Sequence, residues 1–144
     1  MSHKRQLIRE AIVTAITGLT TTGARVYSGN VYPKGLDNLP GLNVIAANDR
    51  RDDSVPVSGK AQQRVVTITI EARVKPPSGG HTPQDQLDDI ESEVQAALMA
   101  TPTLGGVAEW IEPEDSTFTL SGKLDRPSGI GLMKWDCTYW IDFS

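Results

Sequence analysis

The chain has 144 residues, 38% of them hydrophobic and 22% charged, with a formal net charge of −4 and a pI near 5.1. This length predicts one domain, residues 1–144, that buries roughly 68–70% of its unfolded surface. The acidic balance disfavours direct nucleic-acid recognition, which needs clustered Lys and Arg, and no apolar stretch approaches the ~20 residues that cross a bilayer. The single cysteine, Cys137, excludes a disulfide within the chain.

The chain opens with a predicted helix from Lys4 to about Thr17. Apolar residues recur there at helical spacing, and Gly18 begins a GLTTTG run that supplies a stop signal. Two short strands are predicted next, over residues 25–27 and 42–46, with turn-rich sequence between them.

A long polar loop is predicted over residues 48–63, between the second and third strands. It contains the run Arg50, Arg51, Asp52 and Asp53, which carries both signs of charge. Such a run suits charge-complementary contact with a neighbouring subunit, and an ordinary solvated loop explains the composition equally well. We treat these four residues as candidate interface residues.

Longer strands are predicted where apolar and polar residues alternate. One runs from Arg64 to Val74, and another runs from Gly131 to Phe143 at the end of the chain. Shorter strands are predicted at Val107 to Glu112 and at Ser116 to Ser121.

The most informative segment is TPQDQLDDIESEVQAALM, residues 82–99, which predicts a capped amphipathic helix. Thr82 suits the N-cap, Pro83 suits the first helical position, and Asp85 stands where a capping box places Glu or Gln. The expected apolar stripe is Leu87, Ile90, Val94, Ala97 and Leu98. The segment contains no Lys or Arg. Its five carboxylates are Asp85, Asp88, Asp89, Glu91 and Glu93. We expect a brace whose candidate interface residues are Asp85, Asp88 and Asp89.

The order of these elements predicts an α+β fold, with a mainly antiparallel sheet packed against two helices. Helix and strand patterns do not alternate as βαβ units, and no internal repeat is present. Each helix has one apolar stripe, which a sheet face would cover.

The three tryptophans are expected at different positions in the fold. Trp110 lies in a short predicted strand and is expected in the core, as is Trp135 on the apolar side of the last strand. Trp140 falls on the opposite side, where it either covers the second face of the sheet or anchors an interface; we favour the interface because Trp is enriched there.

No residue pattern predicts catalysis, a metal site or a cofactor. His3 and His81 lie near a terminus and in a glycine-rich loop, Cys137 falls on an apolar strand face, and the glycines match neither the P-loop nor the dinucleotide fingerprint. The helical carboxylates lack the loop geometry that gathers ligands around a divalent cation. We therefore expect a protein that is not an enzyme.

Five segments carry a resemblance that covers most of the chain: IREAIVTAITGLTTTGARVY, VYPKGLDNLPGLNVI, RVVTITIEARV, DQLDDIESEVQAAL and GLMKWDCTYWIDF. In type and order they resemble the tail terminator (minor tail protein U-like) and tail-completion proteins of long-tailed bacteriophages. The resemblance implies a small α+β protein that forms a ring, commonly a hexamer, at the end of the tail tube. There it stops tube polymerisation and presents a surface for head attachment.

The implied partners are further copies of the chain, the tail tube protein and the head-tail connector protein. The implied location is the virion tail, with the host cytoplasm during assembly. Two alternatives stay open: a head-tail connector or other tail-tube component, and a small enzyme or adaptor without a recognisable site.

Overall fold

Five strands of the described residues form one mixed sheet, and two helices pack against one of its faces. The computed structural model describes residues 3–23, 25–28, 41–51, 61–74, 82–121 and 128–142. In chain order the elements are α1 (Lys4–Ile16), β1 (Val26–Ser28), β2 (Gly41–Arg51), β3 (Ala61–Val74), α2 (Pro83–Met99), a 3-10 turn (Leu104–Gly106), β4 (Trp110–Ser121) and β5 (Ser128–Asp142).

The strand order is β1-β2-β3-β5-β4, and every neighbouring pair is antiparallel except β1 and β2. The predicted α+β class is therefore confirmed, whereas the sheet is mixed. β1 lies parallel to β2, with Val26 opposite Leu42. A parallel pair requires the chain to return to the same end of the sheet before the second strand begins, which a tight hairpin turn cannot do.

The hairpin of β2 and β3 extends further than the sequence predicts. The predicted loop at 48–63 is wrong at both ends, because β2 continues through Arg51 and β3 begins at Ala61. A polar contact joins these strand ends: the Arg64 Nε lies 2.9 Å from the Asp49 Oδ1. Polar composition alone therefore did not mark a loop here.

The hydrophobic core lies between the helices and one side of the sheet, which we call the helix face. Its fully buried residues include Ile8, Ile12, Ile16, Leu42, Val44, Val66, Ile68, Ile70, Leu87, Ile90, Val94, Leu98, Trp135, Cys137 and Tyr139. The predicted alternation of β3 and β5 and the stripe of α2 are thus confirmed, with Ala97 partly buried beside the core. We call the opposite side of the sheet the second face.

β4 is one strand where the sequence predicts two. Pro113 lies inside it, next to a register shift between Pro113 and Asp115, and within the described residues β4 pairs only with β5. An edge strand tolerates proline because no neighbour needs its missing N–H. The prediction of Trp110 in the core is wrong, since this residue lies opposite Thr138 on the second face and is 47% exposed.

The predicted capping box is present at the start of α2. The Asp85 N–H donates to the Thr82 Oγ1 at 3.1 Å, and the Asp85 Oδ2 accepts the Thr82 N–H at 3.3 Å. Pro83 follows at the first helical position, where its ring is compatible with the helix.

Replacing Thr82 by Ala is expected to lower the free energy of unfolding by about 1 kcal/mol, because the Asp85 N–H loses its acceptor. Urea unfolding followed by tryptophan fluorescence measures this change. Thr82→Ser keeps the hydroxyl and should remain within about 0.5 kcal/mol of the wild type. Equal losses in both variants would argue against the capping contact.

Candidate assembly surfaces

The acidic residues of α2 divide into structural and exposed groups. Glu93 accepts hydrogen bonds from the N–H and the hydroxyl of Thr21, which ties α2 to the segment after α1. Glu91 accepts a hydrogen bond of 2.7 Å from the Ser116 hydroxyl and so ties α2 to β4. Asp85 belongs to the capping box, which leaves Asp88 and Asp89 as exposed carboxylates on the helix.

Arg50 lies on the second face, where it belongs to a polar network within the sheet. Its Nη1 donates to the Thr67 Oγ1 at 3.2 Å, and its Nη2 lies 3.5 Å from the Asp136 Oδ2. The Thr67 hydroxyl in turn donates to Asp136 at 2.9 Å. The Arg50 side chain is 48% exposed. Its guanidinium therefore stabilises the sheet and remains accessible to solvent.

The other three charged residues of this run cannot be placed in the same way. Arg51 is the last residue of β2, and its side chain is outside the described part of the structure. Asp52 and Asp53 lie outside the described residues. The described member of the run, Arg50, lies on the second face, on the other side of the sheet from the carboxylates of α2.

Trp140 lies on the second face, as the alternation of β5 predicts. It is half-buried and stands opposite Gln63 of β3. Trp110 stands opposite Thr138, two positions away along β5, so both tryptophans occupy one corner of the second face. The sequence predicts Trp110 in the core, so this proximity is not apparent without the register of β4 against β5.

β4 carries a line of exposed carboxylates that was not predicted from the sequence. Glu112, Glu114 and Asp115 are exposed along the strand, and Glu109 is exposed just before it. Beside the register shift, a groove of about 300 Å³ is lined by residues that include Glu91, Glu114 and Asp115. A signal was present in the sequence: Lys and Arg are absent from the whole of residues 82–121, not only from the helix.

Asp49 is the centre of a polar cluster on the helix face. Its side chain is only 8% exposed, and it accepts hydrogen bonds from Arg5 at 3.0 Å, from Arg64 at 2.9 Å and from the Tyr139 hydroxyl. These contacts join the start of α1 to β2, β3 and β5. His3 completes this corner, because its Nδ1 accepts the Arg5 N–H at 3.0 Å and its ring meets the Tyr139 ring edge-on.

The cluster shifts the pKa values of its members. Burial raises the pKa of the Asp49 carboxyl, but the hydrogen bonds from Tyr139 and Arg64 outweigh this effect, and the pKa is lowered overall. Burial, followed by the hydrogen bond to Asp49, raises the pKa of the Tyr139 hydroxyl. The hydrogen bond to Asp49 raises the pKa of Arg64. At neutral pH Asp49 is therefore an ionised carboxylate, Arg64 is a charged guanidinium and Tyr139 is a neutral phenol.

Cys137 and His3, two candidates for chemistry in the sequence, both have structural roles in the fold. Cys137 is fully buried, and burial, with a smaller effect of Asp136, raises the pKa of its thiol to about 12. His3 caps α1, and His81 lies outside the described residues. Among the residues that the structure describes, no group of three or more His, Cys, Asp or Glu could hold a metal ion.

Within the described ranges, no helix combines the length and apolarity that a membrane-spanning segment needs. No protein-family model matches the sequence, and no curated protein matches it significantly.

Proposed function

We propose that this chain is a structural virion protein that forms a ring at the end of a phage tail tube, stops tube polymerisation and prepares head attachment. Its partners would be further copies of itself, the tail tube protein and the head-tail connector protein. It would act in the host cytoplasm during assembly and remain in the virion tail. The support is the resemblance of the five segments, together with the distribution of exposed side chains on the fold.

The observation that carries the proposal is the exposure of two aromatic residues on the edge strand β4, Trp110 on the second face and Phe118 on the helix face. Trp110 is 47% exposed and Phe118 is 44% exposed, near opposite ends of this strand. Large aromatic residues are enriched in protein interfaces and often supply most of the binding energy there. An assembly protein would bury them against a neighbouring chain.

The roles of the polar residues favour a structural protein over an enzyme. Asp49, Glu91 and Glu93 each join elements that are distant in sequence. Arg50 and Asp136 tie β2 to β5 across the second face. These groups stabilise the arrangement of helices and strands on which an assembly surface depends.

The proposal predicts that the purified protein forms a complex several times heavier than its 15.6 kDa chain. Light scattering coupled to size-exclusion chromatography, repeated over a hundredfold range of protein concentration, measures that mass. Electron microscopy of the protein mixed with tail tubes tests capping, and we expect tubes whose ends carry a closed ring and no longer elongate.

Two outcomes would contradict this function. A protein that stays monomeric at every concentration and never binds tube ends would exclude the terminator role. Incorporation along the whole length of the tube would instead indicate a tube component.

A further inference from the structure

The outer edge of β4 is the longer of the two open strand edges in the described part of the sheet. β4 pairs with β5 on one side, and within the described residues no strand lies on its other side. The other edge strand, β1, has 3 residues, whereas β4 has 12. From residue 116 to residue 121 the register of β4 against β5 is unbroken, so this part of the edge presents a regular row of backbone donors and acceptors.

Two aromatic side chains of β4 are exposed on opposite faces of the sheet. Trp110 lies on the second face, whereas the Phe118 ring lies on the helix face, against Gly131 and close to Leu87. A partner that covered one face of the sheet would bury only one of these rings. A strand paired with β4 directs alternate side chains to both faces and so covers both rings. Exposure on the two faces therefore favours a neighbouring strand as the missing partner.

The regular part of this edge has the composition of a strand. Residues 116–121 are uncharged, and Thr117, Phe118 and Thr119 are of types enriched in strands. Pro113 and the register shift beside it interrupt the edge before this part, because proline has no N–H to donate. We therefore expect a further strand to pair with residues 116–121.

Carboxylates line the interrupted part of the edge. Glu112, Glu114 and Asp115 are exposed there, and Lys and Arg are absent from the whole of residues 82–121. Glu114 also lines the groove beside the register shift, together with Glu91. A strand that reached this part of the edge would place its own side chains among these carboxylates.

Glu112 in particular lacks a cationic neighbour. Asp115 stands opposite Lys134, and the Asp136 Oδ2 lies 3.5 Å from the Arg50 Nη2. Glu112 stands opposite Asp136, where like charges repel, and no described Lys or Arg forms an ion pair with it. A cationic side chain on an added strand would relieve this repulsion, whereas an anionic one would increase it.

We propose that the outer edge of β4 binds an extended, basic segment of a partner protein. The segment adds to the sheet as a further strand at residues 116–121 and directs Lys or Arg side chains toward Glu112 and Glu114. Backbone hydrogen bonds supply affinity in strand addition, and side-chain contacts supply specificity. This inference rests on the proposed function for the nature of the partner, a protein of the assembly, and specifies the chemistry of the contact.

Fluorescein-labelled peptides test this pairing on the full-length chain. A peptide of about ten alternating Lys and Val residues matches the edge, because it carries Lys on one face and offers Val to Phe118 on the other. Its counterpart has Glu in place of every Lys. We expect the Lys–Val peptide to bind at least about tenfold more tightly in fluorescence anisotropy and to slow hydrogen exchange at residues 116–121.

Two controls separate charge from backbone pairing. A chain with Glu112→Lys and Glu114→Lys should prefer the Glu–Val peptide by about tenfold, because the charge of the edge is then reversed. A Lys–Val peptide whose central backbone nitrogens are methylated keeps its charge but cannot donate to β4. We expect this peptide to bind at least about tenfold more weakly than the unmethylated one.

A third control tests the contribution of the aromatic ring on the helix face. Phe118→Ala should weaken binding of the Lys–Val peptide about tenfold, because large aromatic residues supply much of the binding energy at protein contacts. Leu7→Ala removes an exposed apolar side chain from α1, away from this edge, and should leave the affinity unchanged. Equal affinities for the two variants would argue against a contact with Phe118.

Thermal unfolding verifies that each variant is folded, and Glu112→Lys alone replaces the double variant if the latter unfolds. A folded wild type that binds neither peptide, or binds both equally, would overturn the proposed pairing. Binding that leaves hydrogen exchange at residues 116–121 unchanged would also overturn it.

Other results distinguish this inference from the proposed function. Protection of residues 116–121 that appears without peptide and rises with protein concentration would place a second copy at this edge and contradict the basic partner. A chain that assembles and caps tubes but binds no Lys–Val peptide would overturn the pairing alone. A chain that binds this peptide as expected, yet stays monomeric and never caps tubes, would contradict the proposed function alone.

Discussion

Replacing Val94 by Asp is expected to abolish the cooperative thermal transition of this protein. Val94 lies in the middle of α2 and is 0% exposed, surrounded by core residues of the helix face. A carboxylate at this position would be buried without a partner, which costs several kcal/mol even when the group takes up a proton. Because a domain has a total stability of about 5–15 kcal/mol, one such substitution removes most of it.

Circular dichroism during heating measures this loss, and Ser92→Asp provides the matched control. Ser92 is exposed on the same helix, so this substitution adds the same side chain where water solvates it. We expect the control to change the free energy of unfolding by no more than about 0.5 kcal/mol. If Val94→Asp retained the wild-type transition, the stripe of α2 would not be core.

Local chemistry explains why α2 could be predicted from the sequence so closely. Thr82 and Pro83 specify the start of the helix through contacts within one turn, and the stripe from Leu87 to Leu98 repeats with the period of an α-helix. The alternation of β3 follows from burial of one strand face in the same way. These patterns depend only on neighbours in sequence and on one covered face.

Contacts between distant residues explain what the sequence did not reveal. Asp49 falls within the loop that the sequence predicts, yet it accepts a hydrogen bond from Tyr139, which is 90 residues away. The sequence predicts Trp110 in the core, but the register of β4 against β5 places it on the second face. Register and long-range polar partners are set by tertiary packing, which single-sequence patterns do not contain.

The second large effect is expected for Asp49→Asn, which should lower the free energy of unfolding by about 3 kcal/mol at pH 7. The amide keeps the size of the carboxylate but removes its charge, so Arg5 and Arg64 lose the ionised acceptor that they share. The start of α1 and the end of the β2–β3 hairpin would then be joined less firmly. Urea unfolding, followed by tryptophan fluorescence, to which the buried Trp135 contributes, measures the loss.

The pH dependence of this loss tests its electrostatic origin. Because the pKa of Asp49 is lower in the folded state than in the unfolded state, its ionised form stabilises the fold above an unfolded pKa of about 3.9, and this contribution is lost as the pH falls through the folded value. The stability difference between wild type and Asp49→Asn should therefore be largest near neutral pH and shrink below about pH 4. Asp88→Asn, at an exposed position of α2, should show no comparable difference. A difference for Asp49→Asn that stayed constant from pH 7 to pH 3 would mean that shape, and not the charge of this carboxylate, holds α1 to the hairpin that carries Arg50.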